Sequence, residues 1–196
     1  MGKQVHLERV KRMFEKSPVV EFRSIKRIVG VKNAKNNYAK LLVHNLLKKG
    51  EIKRIGRGVY TKHSESSLAV FVFNPSYLGL QSALSFYGLW EQETIPVILT
   101  TRKVRRGIRK ILNSNILVRN IDKKYFFGFE YSKEGDFYLP YSDLEKTFID
   151  MVVFNQEMSK EVVKNVRKRM DKKRFNEYLR RYSGRLKEKI KEALRH

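Results

Sequence analysis

An α+β fold is what this sequence predicts: a small helical module closed by a basic hairpin, then a domain mixing helices with a sheet, then basic helices. Three observations lead there. Apolar residues recur at helical spacing near both ends, apolar runs of strand length fill the middle, and positive charge is segregated along the chain. Residues 1–62 hold 17 Lys and Arg against 4 Asp and Glu, residues 63–150 hold 11 against 10, and residues 151–196 hold 15 against 6, within a net charge of +23. Charge confined to segments suits a polyanion, because each cation that meets a phosphate releases a condensed counterion.

In the first segment Leu7, Val10 and Phe14 lay one apolar face on a short helix that Ser17-Pro18 breaks. Phe22, Ile25, Ile28 and Val29 give a second helix, closed by Gly30. Asn33 is the expected N-cap of a third, whose stripe is Ala34, Tyr38, Leu41, Leu42 and Leu46 and whose end is Gly50. Its opposite face carries Asn33, Asn36, Asn37, Lys40 and His44, groups that hydrogen-bond base edges and phosphates, and Lys35 is a further candidate DNA contact. A strand over Ile52–Ile55, a Gly56-Arg57-Gly58 turn and a return strand through Val59 and Tyr60 follow, with Lys53, Arg54 and Arg57 on the hairpin. Three helices and a basic hairpin form the winged helix-turn-helix order, in which the third helix enters the major groove and the wing lies along the backbone. A polar helix face is often only a solvated one, but here the hairpin and the segregated charge favour nucleic acid.

The polar stretch His63 to Ser67 is the expected linker. Beyond it Leu68 to Phe73 reads as a buried strand, and Asn74-Pro75-Ser76 opens a helix with Tyr77, Leu80, Leu84 and Tyr87 at helical spacing, closed by Gly88. Strands are expected at 95–101, 116–121, 125–131 and 137–139, in an antiparallel sheet. Ser142-Asp143-Leu144-Glu145 matches a capping box, before an apolar face of Leu144, Phe148, Met151 and Val152. The tail then shows stripes at Val162, Val166 and Met170, at Phe175, Tyr178, Leu179 and Tyr182, and at Leu186, Ile190 and Leu194. It therefore has faces to bury. The expected organisation is a DNA-binding domain at 1–62, a linker at 63–67, an α+β domain at 68–155 and a basic helical region at 156–196. Further candidate phosphate contacts are Arg102, Lys103, Arg105, Arg106, Arg167, Lys168, Lys172, Lys173 and Arg174.

Composition excludes several classes. A chain of 196 residues that is 41% hydrophobic buries a real core, and the absence of cysteine removes disulfide scaffolds, thiol catalysis and Cys-based zinc sites. The apolar runs are too short to span a bilayer and no signal-peptide core opens the chain, so a cytoplasmic protein without a membrane partner is expected. The four histidines lack ligand spacing, and neither a phosphate loop nor a nucleophile elbow is present. No catalytic residue, metal or cofactor is expected, and the chain is read as a non-enzyme. Two alternatives stay open. A metal-dependent nuclease would draw on Asp122, Glu130, Lys133, Asp143, Glu145 and Lys146, although Glu-x-x-Lys places the two side chains on opposite faces of a strand. An RNA-binding module would use the same basic segments.

The hairpin ending RGVYTK, the block NPSYLGLQSALSFYGLWEQETIPVILTT, the YFFG strand pair and the helix beginning DLEKTFIDMV together resemble the AbiEi abortive-infection antitoxins, described also as transcriptional regulators of viral defence systems. The resemblance covers residues 7–155, and its most specific part runs from Pro75 to Leu89 and on to Ile95-Pro96. It implies the antitoxin of a type IV toxin–antitoxin pair. The winged helix would repress its own operon at inverted repeats in duplex DNA. The C-terminal domain would counteract a nucleotidyltransferase-like toxin.

Overall fold

The computed structural model describes residues 2–30 and 33–195, with side chains from Val5 to Gly30 and from Asn37 to Arg195. It is an α+β protein made of two compact units, one of Met1–Val72 with Lys110–Ser114 and the other of Phe73–Arg109 with Asn115–His196.

In the first unit, helices α1 (Gly2–Lys16), α2 (Phe22–Val29) and α3 (Asn33–Lys48) pack with strands β1 (Val20–Glu21), β2 (Lys53–Gly56) and β3 (Val59–Thr61). Val10 and Phe14 of α1, Ile25 and Val29 of α2, and Ala39, Leu42, Val43 and Leu46 of α3 form one apolar core with Val20, Ile52 and Tyr60. Gly30 ends α2, donating its N–H to Lys26 O at 2.8 Å. The expected stripe of α3 is rotated. Leu41 is 54% exposed and Ala39 and Val43 take the core positions, because the burial is centred on the 39/42/43/46 stripe rather than on 38/41/42. Asn33, the expected N-cap, opens the helix, and its side chain lies outside the described residues. A strand that the periodicity did not reveal, β1, pairs antiparallel with β3, so the sheet order is β1-β3-β2.

Residues 63–67 are not a boundary. His63 N–H donates to Thr61 Oγ1, which itself donates to Pro18 O at 2.6 Å, and the unit continues to Val72. Ser66–Phe73 is a 3-10 helix, not a strand. A continuous apolar run does not separate a buried strand from a buried helix, and Leu68, Ala69, Val70 and Phe73 are buried here without alternation.

The second unit is built on a mixed sheet, ordered β6-β7-β5-β4-β9-β8, apart from residues Lys110–Ser114 at the β6–β7 turn, which fall in the first unit. Its strands are β4 (Ser76–Leu78), β5 (Val97–Thr100), β6 (Gly107–Ile111), β7 (Ser114–Asn120), β8 (Phe129–Glu134) and β9 (Phe137–Ser142). β4 runs antiparallel to β5 and parallel to β9, β5 runs parallel to β7, and β8 and β9 form a hairpin, so the expected all-antiparallel sheet is corrected. The helix expected from Ser76 is likewise corrected to the strand β4 followed by the short helix α4 (Gln81–Phe86). Leu80, at φ 54°, breaks the helical path between them, and a strand buried along its whole length imitates helical spacing by supplying apolar residues everywhere. The strand expected from Tyr125 begins at Phe129, after a 3-10 turn at Lys123–Tyr125.

Helix α5 (Leu144–Val153) is the axis of this unit, with every residue from Leu144 to Val152 buried. Helices α6 (Lys160–Arg169), α7 (Lys172–Leu179) and α8 (Gly184–Arg195) follow. Val163, Val166, Met170, Phe175, Leu179, Tyr182 and Ile190 join Phe148, Met151 and Val152 in one core with Tyr77, Val97 and Leu99 of the sheet. The basic tail is part of this unit rather than a separate region, as its stripes require. The expected capping box is replaced by a simpler arrangement. Asp143 is the N-cap and accepts from Lys146 N–H at 2.7 Å, Ser142 ends β9, and Glu145 faces the start of α7.

Candidate nucleic-acid interface

The outward face of α3 is set by its buried stripe. With Ala39, Leu42, Val43 and Leu46 turned inward, Asn37, Lys40, Leu41, His44, Asn45 and Lys48 are left exposed. Three of the expected contacts, Asn37, Lys40 and His44, are thus on one solvent face, and Asn45 and Lys48 extend it. Lys35 and Asn36 lie outside the described side chains.

The hairpin β2–β3 presents Lys53, Arg54 and Arg57 to solvent. Gly58, at φ +71°, takes the left-handed conformation that the tight turn needs, and its carbonyl accepts from Phe22 N–H at 2.7 Å. Gly56 is needed for a different reason: a Cβ there would come within 2.5 Å of Val72 Cγ1. Backbone packing therefore fixes the hairpin beneath its cations. Arg54 Nε donates to Gly56 O at 3.2 Å and Lys53 Nζ to Ser64 Oγ, so the once-expected linker supports the hairpin.

In the second unit Arg102, Lys103, Arg105 and Arg106 are exposed on the segment between β5 and β6, and no carboxylate interrupts residues 94–121. Arg167, Lys168, Lys172 and Lys173 are exposed around the α6–α7 junction. Asp171 caps α7 by accepting from Lys173 N–H at 2.8 Å and Arg174 N–H at 3.2 Å, and these bonds hold its carboxyl below the usual range. Arg174 differs from its neighbours. Its guanidinium lies 3.8 Å from Glu145 and 3.9 Å from Asp143, so its charge is shared with buried carboxylates and is less available to a phosphate.

Sequence reasoning missed a buried polar network under this surface. Lys146 and Asp150 are fully buried and paired to each other, and Tyr77 OH donates to the second oxygen of Asp150 at 2.7 Å. The Lys146 ammonium also lies 5.1 Å from the Phe127 ring centre and 5.7 Å from that of Tyr77. Burial pulls Lys146 down and pushes Asp150 up, and each opposes the shift of the other. Asp143 is raised by burial, against the pull of hydrogen bonds from Tyr178 OH at 2.6 Å and Lys146 N–H. Glu145 accepts from Asp171 N–H at 2.6 Å, tying α5 to α7. A lysine four residues before an aspartate was the available signal, and an amphipathic reading of α5 hid it.

Of the residues a nuclease would have used, Asp143 caps a helix, Glu145 accepts from a helix start, Lys146 is paired, and Asp122 accepts from Lys124 N–H at 3.1 Å, while Glu130 and Lys133 stand exposed on β8. Among the described residues no three of His, Cys, Asp or Glu group as metal ligands. Nor is any described helix long and apolar enough to cross a membrane.

No protein-family model matches this chain, and no curated protein matches it. Among solved structures it is similar to the crystal structure of the RV2827C protein from Mycobacterium tuberculosis, at a TM-score of 0.62 and 11% identity, over 96% of this chain and 74% of that one. The likeness is one of fold.

Proposed function

We propose that the chain is a DNA-binding antitoxin of the AbiEi type, a cytoplasmic repressor of its own operon that also counteracts a nucleotidyltransferase-like toxin. The observation that carries the DNA-binding part is the exposed Asn37–Lys40–His44 face of α3 together with the Lys53–Arg54–Arg57 hairpin, both fixed on one apolar core. On this reading the first unit is a winged helix-turn-helix. α3 reads bases in the major groove of an inverted repeat, and the hairpin is a wing on the phosphates. The exposed cations at 102–106 and 167–173 add phosphate contacts, and antitoxicity belongs to the second unit.

The test is titration of the full chain against duplex DNA from upstream of its own gene, and against a scrambled duplex, at two salt concentrations. With about six phosphate contacts, affinity falls on the order of a thousandfold between about 50 and 200 mM salt. Arg57→Ala weakens both duplexes alike, whereas Asn37→Ala or Lys40→Ala costs about 1–3 kcal/mol mainly on the operator. Salt-insensitive binding, or none, rules the reading out. Co-expression with the adjacent toxin separates the two roles: Arg54→Ala with Arg57→Ala abolishes repression and still rescues growth.

A further inference from the structure

Leu41 is the residue on α3 whose placement the amphipathic pattern misassigns. It lies at the centre of the outward stripe, four residues after Asn37, three and four before His44 and Asn45, and beside Lys40, with 54% of its surface exposed. Every other exposed side chain described on this helix is polar. A branched apolar group ringed by amide, imidazole and ammonium groups has the composition of a base-reading surface, since the major groove offers one apolar feature among its donors and acceptors, the C5 methyl of thymine.

We infer that Leu41 is a specificity-determining residue that packs against thymine methyl groups in the operator, while Asn37, His44 and Asn45 read the polar edges of adjacent bases. The inference rests on the proposal that α3 enters the major groove. It adds which base the helix prefers beneath its centre. Leu41 supplies apolar surface for a methyl group and no hydrogen bond, so it discriminates thymine from uracil, which pair identically and differ by that methyl alone.

The experiment uses the full chain and the upstream duplex prepared in two forms, one with thymine and one with deoxyuracil at every thymine position. Each is titrated with the unaltered protein and with Leu41→Ala, which suits an exposed helical site and preserves the fold. The unaltered protein is expected to bind the thymine duplex about fourfold more tightly for each methyl buried. Leu41→Ala is expected to bind both duplexes with the affinity of the unaltered protein for the uracil form. Equal binding of both duplexes by the unaltered protein overturns the assignment while leaving DNA binding intact, and so does a thymine preference that survives in Leu41→Ala. A concentration-dependent dimer that Leu41→Ala abolishes, with both duplexes bound alike, overturns it in favour of a protein contact. Failure to bind either duplex removes the DNA-binding reading itself, and Leu41 with it.

Discussion

The two units stabilise themselves by different means. Among the described residues the first buries a single polar side chain, Thr61, inside an otherwise apolar core, whereas the second buries nine, including Asp143, Glu145, Lys146 and Asp150. An apolar core is non-directional: its members exchange partners at modest cost provided that volume is kept. A buried ion pair is directional and expensive to break, and it contributes little net stability while intact. In the second unit Tyr77 OH on Asp150 joins β4 to α5, and the Ser142–Thr147 hydroxyl pair at 2.7 Å joins β9 to it. These bonds fix how α5 is rotated and how far it is pushed along the sheet. Positioning, more than stability, is what the polar core supplies.

The largest expected effect follows from breaking that network on one side. Asp150→Ala strands the Lys146 ammonium and the Tyr77 hydroxyl in an apolar interior, at a cost of about 3–5 kcal/mol. Denaturant unfolding followed by Trp90, the chain's only tryptophan and a member of the second unit, reads it directly. Lys146→Met combined with Asp150→Leu is expected to recover most of the loss. If the double variant is no more stable than Asp150→Ala, the pair itself holds the unit together and the polar core supplies stability rather than positioning.

Alkali comes next, because it acts on several groups at once. Burial raises the phenol pKa of Tyr77, Tyr141, Tyr178 and Tyr182, and pushes Tyr87 up to about 12, against about 10 in an unfolded chain. The unfolded state therefore loses these protons first. Their contribution is fully present below about pH 10 and is lost as pH rises through the folded values. All five belong to the second unit, so Trp90 emission should report unfolding at a pH where the helical signal of the first unit persists. Coincident loss of both would show that the tyrosines do not set the alkaline limit.

Smaller effects distinguish the units more finely. Asp143→Ala removes the α5 cap and the acceptor for Tyr178 and should cost about 0.5–2 kcal/mol, while Asp143→Asn retains the capping bond. Ile25→Val in the apolar core should cost about 0.5–1.5 kcal/mol. Hydrogen exchange resolved by segment should place the first loss in α5 and α7 and the second in α2 and α3.

The contrast also explains which parts of the fold were legible in the sequence. In the helices α1 and α2 of the first unit one side meets the core, so Val10, Phe14, Ile25 and Val29 stand out by period alone, and the hairpin follows from Gly56-Arg57-Gly58. Leu41 escaped because a single leucine beside Leu42 fits either of two stripes, and only packing decides between them. In the second unit elements are buried on more than one side, and period loses its meaning. Ser76–Leu78 read as a helix for that reason, and the run Ser66–Phe73, which belongs to the first unit up to Val72, read as a strand because it too is buried without alternation. Exposed charge at 53–57 and 102–106 was legible because nothing has to pack against it. Lys146 and Asp150 were not, since a charge buried with its partner four residues away looks in sequence like a surface pair.

The last helix has a consequence for how the protein comes into being. Ile190 of α8 is completely enclosed in the core that also holds Tyr77 and Phe148, near the start and the middle of its unit. During synthesis that core stays open until α8 has left the ribosome. The residues of α1, α2, α3 and the β2–β3 hairpin emerge long before, and their apolar stripes lie close together in the chain. The nascent chain thus passes through a period in which the cationic module can close around its own core while the sheet and α5 still await α8, the interval in which unfinished sheets are most prone to aggregate.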